Sequence, residues 1–396
     1  MGYAKRVNDE YGTLREEDVS ALVPLLSWSF CNSFAEVEPW ILRGGVENFR
    51  VLKRQGKLVS CLLLIPMGQF FGGRRVQMTG IAAVATAADA RGTGAALAIM
   101  REMMFELSAK HTPLSTLYPA TRTLYRRVGY EPAGGRYEAR VRTATLPAWD
   151  RSLGLRPMTD ADEGAVRTVY TAHAKHHAGF LDRGPYVWQR IKNPRGGEVA
   201  RGFVVETASN LEGYIILYAK RLPNLHHDLL VTDLVATTHS AARRLVTFLA
   251  DHGTLGDTVR LSAAPDDPLV HLLPAVGCEQ QLLEHWMLRI VDLPAALAAR
   301  GYPERLSVEL ELDVKDDLVP ANAGRFLVSV ANGRAEVHPG GRGRLRIDVR
   351  GLAALYSGHL MPRSLVVAGL VEGSEEDLAR AASVFAGVPP SMPDMF

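Results

Sequence analysis

Apolar side chains recur at helical spacing early in the chain. Val19, Leu22, Val23, Leu26 and Phe30, within the stretch 16–34, fall on one face of an α-helix. The pattern then changes to short apolar runs bounded by turn residues. These predict strands at 49–53 and 58–67, and Gly72-Gly73 predicts a turn into a strand over 75–86. A glycine-containing loop at 89–94 opens the next helix, where Leu97, Met100, Met104 and Leu107 stand at i, i+3, i+7 and i+10. A strand at 115–118, a short helix at 121–128 and a strand at 137–143 complete a mixed α/β pattern.

The pattern shifts near Leu146-Pro-Ala-Trp-Asp and restarts with a capped helix at Leu155-Arg-Pro-Met-Thr-Asp-Ala-Asp. Strands at 199–206, 213–218 and 229–237 and a helix at 241–250 repeat the first order, without the glycine loop. After Leu293-Pro the apolar residues alternate again. This predicts strands at 306–314, 324–330, 335–339 and 344–348 and helices at 349–357 and 375–385. The last residues, 388–396, are rich in Pro and Met. Three segments follow from this reading: 1–150, 151–292 and 293–396.

Composition narrows the class. With 396 residues and 47% hydrophobic positions, the chain has material for two or three cores. The 45 basic and 43 acidic residues nearly cancel, so nothing draws it generally to nucleic acid or an anionic membrane. Cys31, Cys61 and Cys278 are few and far apart, which predicts a reducing, cytoplasmic setting and no disulfide framework or zinc site. The N-terminus has no apolar signal core. Gly2 does not read as a myristoylation site, because position 6 is Arg. The longest apolar stretch, 61–67, is too short to span a bilayer.

The chemistry-bearing motif is Val84-Ala-Thr-Ala-Ala-Asp-Ala-Arg91-Gly92-Thr93-Gly94-Ala95-Ala96-Leu97. A strand delivers the chain to a loop whose N–H groups converge, and a helix starts there with its positive dipole end. Gly92 and Gly94 remove side chains where a ligand must approach closely, and Arg91 adds charge. A dinucleotide loop wants Gly or Ala where Leu97 stands, and a P-loop needs Gly-Lys-Ser/Thr, which is absent. A coenzyme A pyrophosphate fits better. A glycine-containing helix start with no ligand stands beside it as the bland alternative.

At this point the residues resemble a known family, the Eis (enhanced intracellular survival) acyltransferases of the GNAT type. The resemblance rests on the loop, on Leu124-Tyr125-Arg-Arg-Val-Gly129-Tyr130-Glu-Pro-Ala133, on Asp267-Pro-Leu-Val-His-Leu-Leu273, and on Trp286-Met-Leu-Arg-Ile-Val-Asp-Leu-Pro-Ala-Ala-Leu-Ala-Ala-Arg-Gly-Tyr302. It implies an α/β (α+β) chain of two GNAT-like lobes, at 1–150 and 151–292, and a sterol-carrier-protein-like domain at 293–396. It implies acetyl-CoA as co-substrate, bound only by the first lobe, a small-molecule amine acceptor and a homo-oligomer, specifically a hexamer. Carried over by position, Ala82, Ala83 and Val84 serve the acyl and pantetheine arm, Ala90, Arg91, Gly92, Thr93, Gly94 and Ala95 cradle the pyrophosphate, and Ala120 and Thr121 line the thiol end. One departure is Asp89, where GNAT loops carry Arg or Gln; a carboxylate there opposes phosphate.

The resemblance also implies the catalytic pair. Tyr125 takes the place of the general acid, although without the resemblance a core tyrosine packed with Leu124 and Val128 is the better reading of it. The base is the main-chain carboxylate of Phe396; the bland alternative is a frayed tail. Asn32, Glu36 and Trp40 fall where the substrate pocket is expected, Trp40 just after the helix that walls it. In Eis enzymes that acetylate aminoglycosides, carboxylates near that helix and near the C-terminus hold the polycation. Asn32 and Met395 stand at those positions here. His173, His176 and His177 on one expected helix, and His226-His227-Asp228 at a strand start, lack convergent partners and predict no metal. A longer-chain acyltransferase, with Ala82, Ala83 and Ala120 leaving room, and a degenerate apolar-ligand-binding protein are the alternative readings.

Overall fold

The computed structural model describes residues 9–148, 150–194, 196, 198–208 and 210–396. Gly2 and Trp149, both named above, lie outside the described residues. In chain order the first part holds β1 (Asp9–Thr13), α1 (Val19–Phe30), α2 (Phe34–Gly44), β2 (Phe49–Arg54), β3 (Lys57–Phe71), β4 (Arg74–Thr86), α3 (Ala95–Ala109), β5 (Leu114–Leu117), α4 (Arg122–Arg126) and β6 (Glu131–Arg142). The middle part holds β7 (Gly154–Pro157), α5 (Glu163–Ala174), β8 (Leu181–Asp182), α6 (Pro185–Lys192), β9 (Arg201–Glu206), β10 (Leu211–Arg221), β11 (His227–Ala236), α7 (His239–Ala250), β12 (Gly256–Leu261) and β13 (Cys278–Ile290). The last part holds α8 (Leu293–Ala299), β14 (Val308–Lys315), β15 (Gly324–Ala331), β16 (Arg334–Pro339), β17 (Leu345–Asp348), α9 (Val349–Ser357), α10 (Pro362–Val367), β18 (Val371–Glu372) and α11 (Glu375–Val384).

Contacts divide the chain into two compact units: Met1–Ala133 with Trp286–Gly387 and Phe396, and Gly134–His285 with Val388–Met395. Unit borders therefore fall inside β6 and β13 rather than at the pattern shifts along the chain.

In the first unit, β1 to β5 pair in sequence order, and residues 287–290 of β13 pair antiparallel with β5. All pairs in that row are antiparallel except β4 with β5, which run parallel. The α3 face packs on it as the apolar spacing predicts: Leu97, Met100, Met104 and Leu107 are all buried. Each such side chain contributes about 1.5–3 kcal/mol relative to exposure. The last part of the chain adds a separate sheet in the order β16-β15-β14-β17-β18, with α9 running over 349–357 as the sequence predicts.

The single helix expected over 16–34 is instead a 3-10 turn at Glu16–Asp18, then α1 and α2. Two local features break it. Cys31 adopts the left-handed region at φ 54°, and Ser33 with Glu36 forms a capping box that starts α2. Trp40 thus lies on α2 itself. The helix expected to carry three histidines ends at Ala174, so His176 and His177 come after it.

In the second unit, β6 residues 139–142 pair antiparallel with β12, and the order continues β12-β11-β10-β9-β7. Here too one pair is parallel, β11 with β12. Among the described residues no helix is long and apolar enough to cross a membrane. Among them no cluster of three His, Cys, Asp or Glu side chains suited to a metal was found either.

Candidate active site

The first unit contains a strand split. Parallel pairing of β4 with β5 stops at Ile81↔Leu117, while β4 runs on to Thr86. The edge of β4 from 82 to 86 is left without a strand partner on that side among the described residues, so its N–H and C=O groups are free for an extended ligand.

The same stretch is bulged. Cys61 faces Ala85 and Leu63 faces Ala82, so Leu62 alone opposes Ala83 and Val84. Ala83 sits at φ 52°, a left-handed conformation that costs a non-glycine residue about 1–2 kcal/mol. The Cys61 thiol donates to the Ala83 carbonyl at 3.5 Å and supports the bulge from behind. Ala82, Ala83 and Val84, chosen from sequence, are thus one structural feature.

The loop after β4 carries the pyrophosphate candidates, Ala90 to Ala95. Residues 88–90 form a 3-10 turn, Gly92 lies at φ 75° and Gly94 caps α3 at φ 84° with no side-chain cap. A Cβ at Gly92 would meet nothing within 4 Å, so the space above that residue is open. The first-turn N–H groups of Ala95, Ala96 and Leu97 have no acceptor within the helix, and no acidic residue occupies that turn. An uncapped helix start of this kind suits an anion.

Three charged residues at the loop escaped the sequence reading. Arg54 donates to Thr93 Oγ1 at 2.6 Å and pairs with Asp9, and Thr93 in turn donates to the Ala90 carbonyl. Lys57 pairs with Asp89, and its hydrogen bond and charge hold the Asp89 carboxyl below the usual carboxylate range. The anionic departure at Asp89 is therefore neutralised locally. No short motif announces these partners, because they come from β1, the end of β2 and the start of β3.

Tyr125 lies on α4 and is buried against the core that includes Leu117 and Val128, its ring edge-on to Tyr130 with centroids 6.2 Å apart. Both sequence readings meet here: the ring is core, yet the hydroxyl has no hydrogen-bond partner among the described residues. Tyr130, by contrast, is satisfied by Ser115 at 2.6 Å. Burial pushes the Tyr125 phenol up to about 12. Ala120 and Thr121 are exposed at the head of α4, with Thr121 at its N-cap.

The C-terminal residue is not frayed. Phe396 is 5% exposed, and its ring stands 5.7 Å from that of Tyr118, centroid to centroid. It also touches Gly80 on β4, one residue before the last parallel pair. Phe396 is therefore brought to the strand split.

The substrate candidates lie on the α1–α2 pair. Trp40 meets Phe30 edge-on at 5.3 Å, and Trp28, Phe34 and Leu42 nearby are exposed. Asn32 is held in the connection, its N–H donating to Ser27 O. The Glu36 carboxylate is taken up by the Ser33 N–H and hydroxyl, each at 2.8 Å, which lowers its pKa.

A bulged strand with a free edge, then an uncapped glycine-started helix, with a buried tyrosine on α4, are the features of a GNAT acyltransferase. Models of the GNAT acetyltransferase domain match residues 10–133 and 179–290, and a sterol carrier protein domain matches 293–393. A solved GCN5-related N-acetyltransferase from Anabaena variabilis is 37% identical with a TM-score of 0.93, covering 98% of this chain and 100% of that one. The chain belongs to the GCN5-related N-acetyltransferases, and within them to the Eis family. An N-acetyltransferase Eis of Mycobacterium tuberculosis is 26% identical over 323 residues, 76% of each chain. An uncharacterized N-acetyltransferase of Streptomyces coelicolor is 26% identical over 343 residues, 82% of each.

Proposed function

We propose that the protein transfers an acetyl group from acetyl-CoA to the amine of a small molecule by direct attack. The observation that carries this reading is the free edge of β4 beyond Ile81, leading into the uncapped start of α3. Extended backbone suits the amides of a pantetheine arm, and the convergent N–H groups of the loop suit a pyrophosphate. The Val84 N–H, within the bulge, is the donor for charge developing on the thioester oxygen.

Tyr125 acts as general acid. Its hydroxyl is protonated at neutral pH and has no hydrogen-bond partner among the described residues, so it is ready to donate to a departing thiolate. The Phe396 main-chain carboxylate acts as base. Such a group has an ordinary pKa of about 3.3–3.7 and takes a proton from the incoming ammonium directly or through water. Its side chain, wedged against Gly80 and Tyr118, is the anchor that holds it.

The test is thiol release from acetyl-CoA against a panel of amines, with longer acyl-CoAs in parallel. No turnover, together with no acetyl-CoA binding at millimolar concentration, would overturn the reading. Deleting Phe396 or extending it with a tag is expected to abolish turnover while the fold survives. The homo-oligomer is part of the same proposal, and sedimentation velocity decides it.

A further inference from the structure

We propose that the second lobe holds the chain's C-terminal tail in the strand split that corresponds to the first lobe's acyl-CoA cleft, with Arg183 and Asp394 as the lock. The correspondence is internal to each lobe. In the first, parallel pairing ends at Ile81 and the bulge comes two residues later at Ala83. In the second, parallel pairing of β11 with β12 ends at Leu230↔Arg260, and the extra residue on β11 comes two residues later at Thr232. β11 then runs on to Ala236, as β4 runs on to Thr86.

Beyond the split the two lobes differ. Thr238 caps α7 by accepting from the Ala241 N–H, so the helix start is closed by a side chain where Gly94 leaves α3 open. The tail also lines the space there. A cavity of about 40 Å³ lies between residues 231–235 of β11, residues 261–264 and residues 391–393 of the tail, and a second of about 290 Å³ is lined by residues 230–232, 260–262 and 393–395.

The tail is held there as a ligand would be. Gly135 N–H donates to Pro390 O, Met392 N–H donates to Gly135 O, and Ser391 N–H donates to Ala178 O. Met392 is 1% exposed. Asp233 follows Thr232 as Val84 follows Ala83 in the first lobe, and it meets Arg183 through two bonds at 2.5 and 2.9 Å. The same guanidinium bonds both oxygens of Asp394 at 3.0 and 2.9 Å, and its side chain is fully buried. It lies over the Tyr170 ring at 3.6 Å, while Tyr214 donates to Asp233 at 2.7 Å. One buried cation thus bridges a strand carboxylate and a tail carboxylate, and removing the tail would leave the split open.

Two residues span at most about 7 Å, so fixing Asp394 confines Phe396 covalently. Arg183 is therefore a positioning residue; its effect on turnover rests on the reading of the Phe396 carboxylate as base, whereas its hold on the tail does not. Asp394→Asn tests the lock with little risk to folding, because Arg183 keeps Asp233; Met392→Ala is the second variant. Release of phenylalanine by carboxypeptidase Y is expected to be about tenfold faster or more from each folded variant than from the unaltered chain. kcat is expected to fall about tenfold or more with the acetyl-CoA Kd unchanged. Release at the parental rate from both folded variants would overturn the proposal. Faster release with unchanged kcat would uphold the lock and reject the carboxylate as base.

Discussion

The ring of Phe396 rests on Gly80: a Cβ added there would stand 2.7 Å from its Cε2 atom. The same Cβ would meet Met67 Cε at 2.3 Å, but that methyl ends a flexible chain and can swing aside. The Phe396 ring has less freedom, since Tyr118 flanks it. Gly80→Ala is expected to displace the C-terminal residue, at an overpacking cost of about 1–3 kcal/mol. A misplacement near 1 Å at reacting groups costs about 10²-fold in rate, so kcat falls while acetyl-CoA binding stays near parental. Steady-state kinetics with calorimetry checks this, and an unchanged kcat would mean the ring is only packing.

Tyr125→Phe is expected to lower kcat by about 10²–10⁴-fold with little change in acetyl-CoA affinity. The hydroxyl has no hydrogen-bond partner among the described residues, so the melting temperature is expected to stay near parental. The pH dependence has a definite sign. Burial disfavours the phenolate and raises the group from 10.0 to about 12. The acid form therefore persists through pH 7–10, and any stability linked to it is full below pH 10 and is lost as pH rises through about 12. A basic limb near pH 8–9 that disappears in the Phe variant would contradict this assignment.

Much of this architecture is legible in local pattern, and the parts that are not share one cause. Leu97, Met100, Met104 and Leu107 mark the α3 core face, and the run 349–357 marks α9, because both depend on neighbours three and four residues away. The split at Ile81↔Leu117 is set by where two strands stop pairing, which periodicity does not record. Arg183 and Asp394 are 211 residues apart in sequence, and neither stands in a motif. The α1–α2 break was readable in Ser33 and Glu36 as a capping box, and the apolar spacing from Val19 to Phe30 ends before it. Burial of Phe396 follows from the apolar, proline-rich tail, whereas its seat on Gly80 does not.

Gly94→Glu is expected to weaken acetyl-CoA binding by about tenfold or more, because it brings a carboxylate to an anion-binding helix start. Gly94 also sits at φ 84°, where a side chain is strained. Unchanged affinity by calorimetry, in a folded variant, would place the pyrophosphate elsewhere.

The Lys57–Asp89 pair sits at the surface beside the same loop. Lys57→Met exposes an uncompensated carboxylate and is expected to weaken acetyl-CoA binding by about two- to fivefold, more at low salt. Asp89→Asn is expected to shift affinity the other way by a similar factor. A salt titration of Kd for the two variants checks the sign; weakening by both would mean the pair shapes the loop rather than its potential.

The last prediction concerns charge on the acceptor. A polycationic aminoglycoside needs carboxylates at the acceptor site, and the positions expected to supply them are Asn32 and Met395. Two nearby acids that stood ready to substitute are committed elsewhere. Asp394 is buried and bound to Arg183, and Glu36 closes the capping box of α2. The α1–α2 pair instead carries apolar groups, with Phe30 against Trp40 and with Trp28, Phe34 and Leu42 exposed on the two helices. Such a surface suits the apolar body of a ligand with few charges. Each desolvated charge pair that is missing costs a polycation about a decade of affinity. A mono-amine with an aromatic or aliphatic body is therefore expected to exceed a tetra-amine aminoglycoside of similar size in kcat/KM by about tenfold or more. Restoring a carboxylate with Asn32→Asp is expected to narrow that gap. A parental enzyme that prefers the tetra-amine would overturn the argument and assign the anionic role to Glu38, the remaining exposed acid on α2.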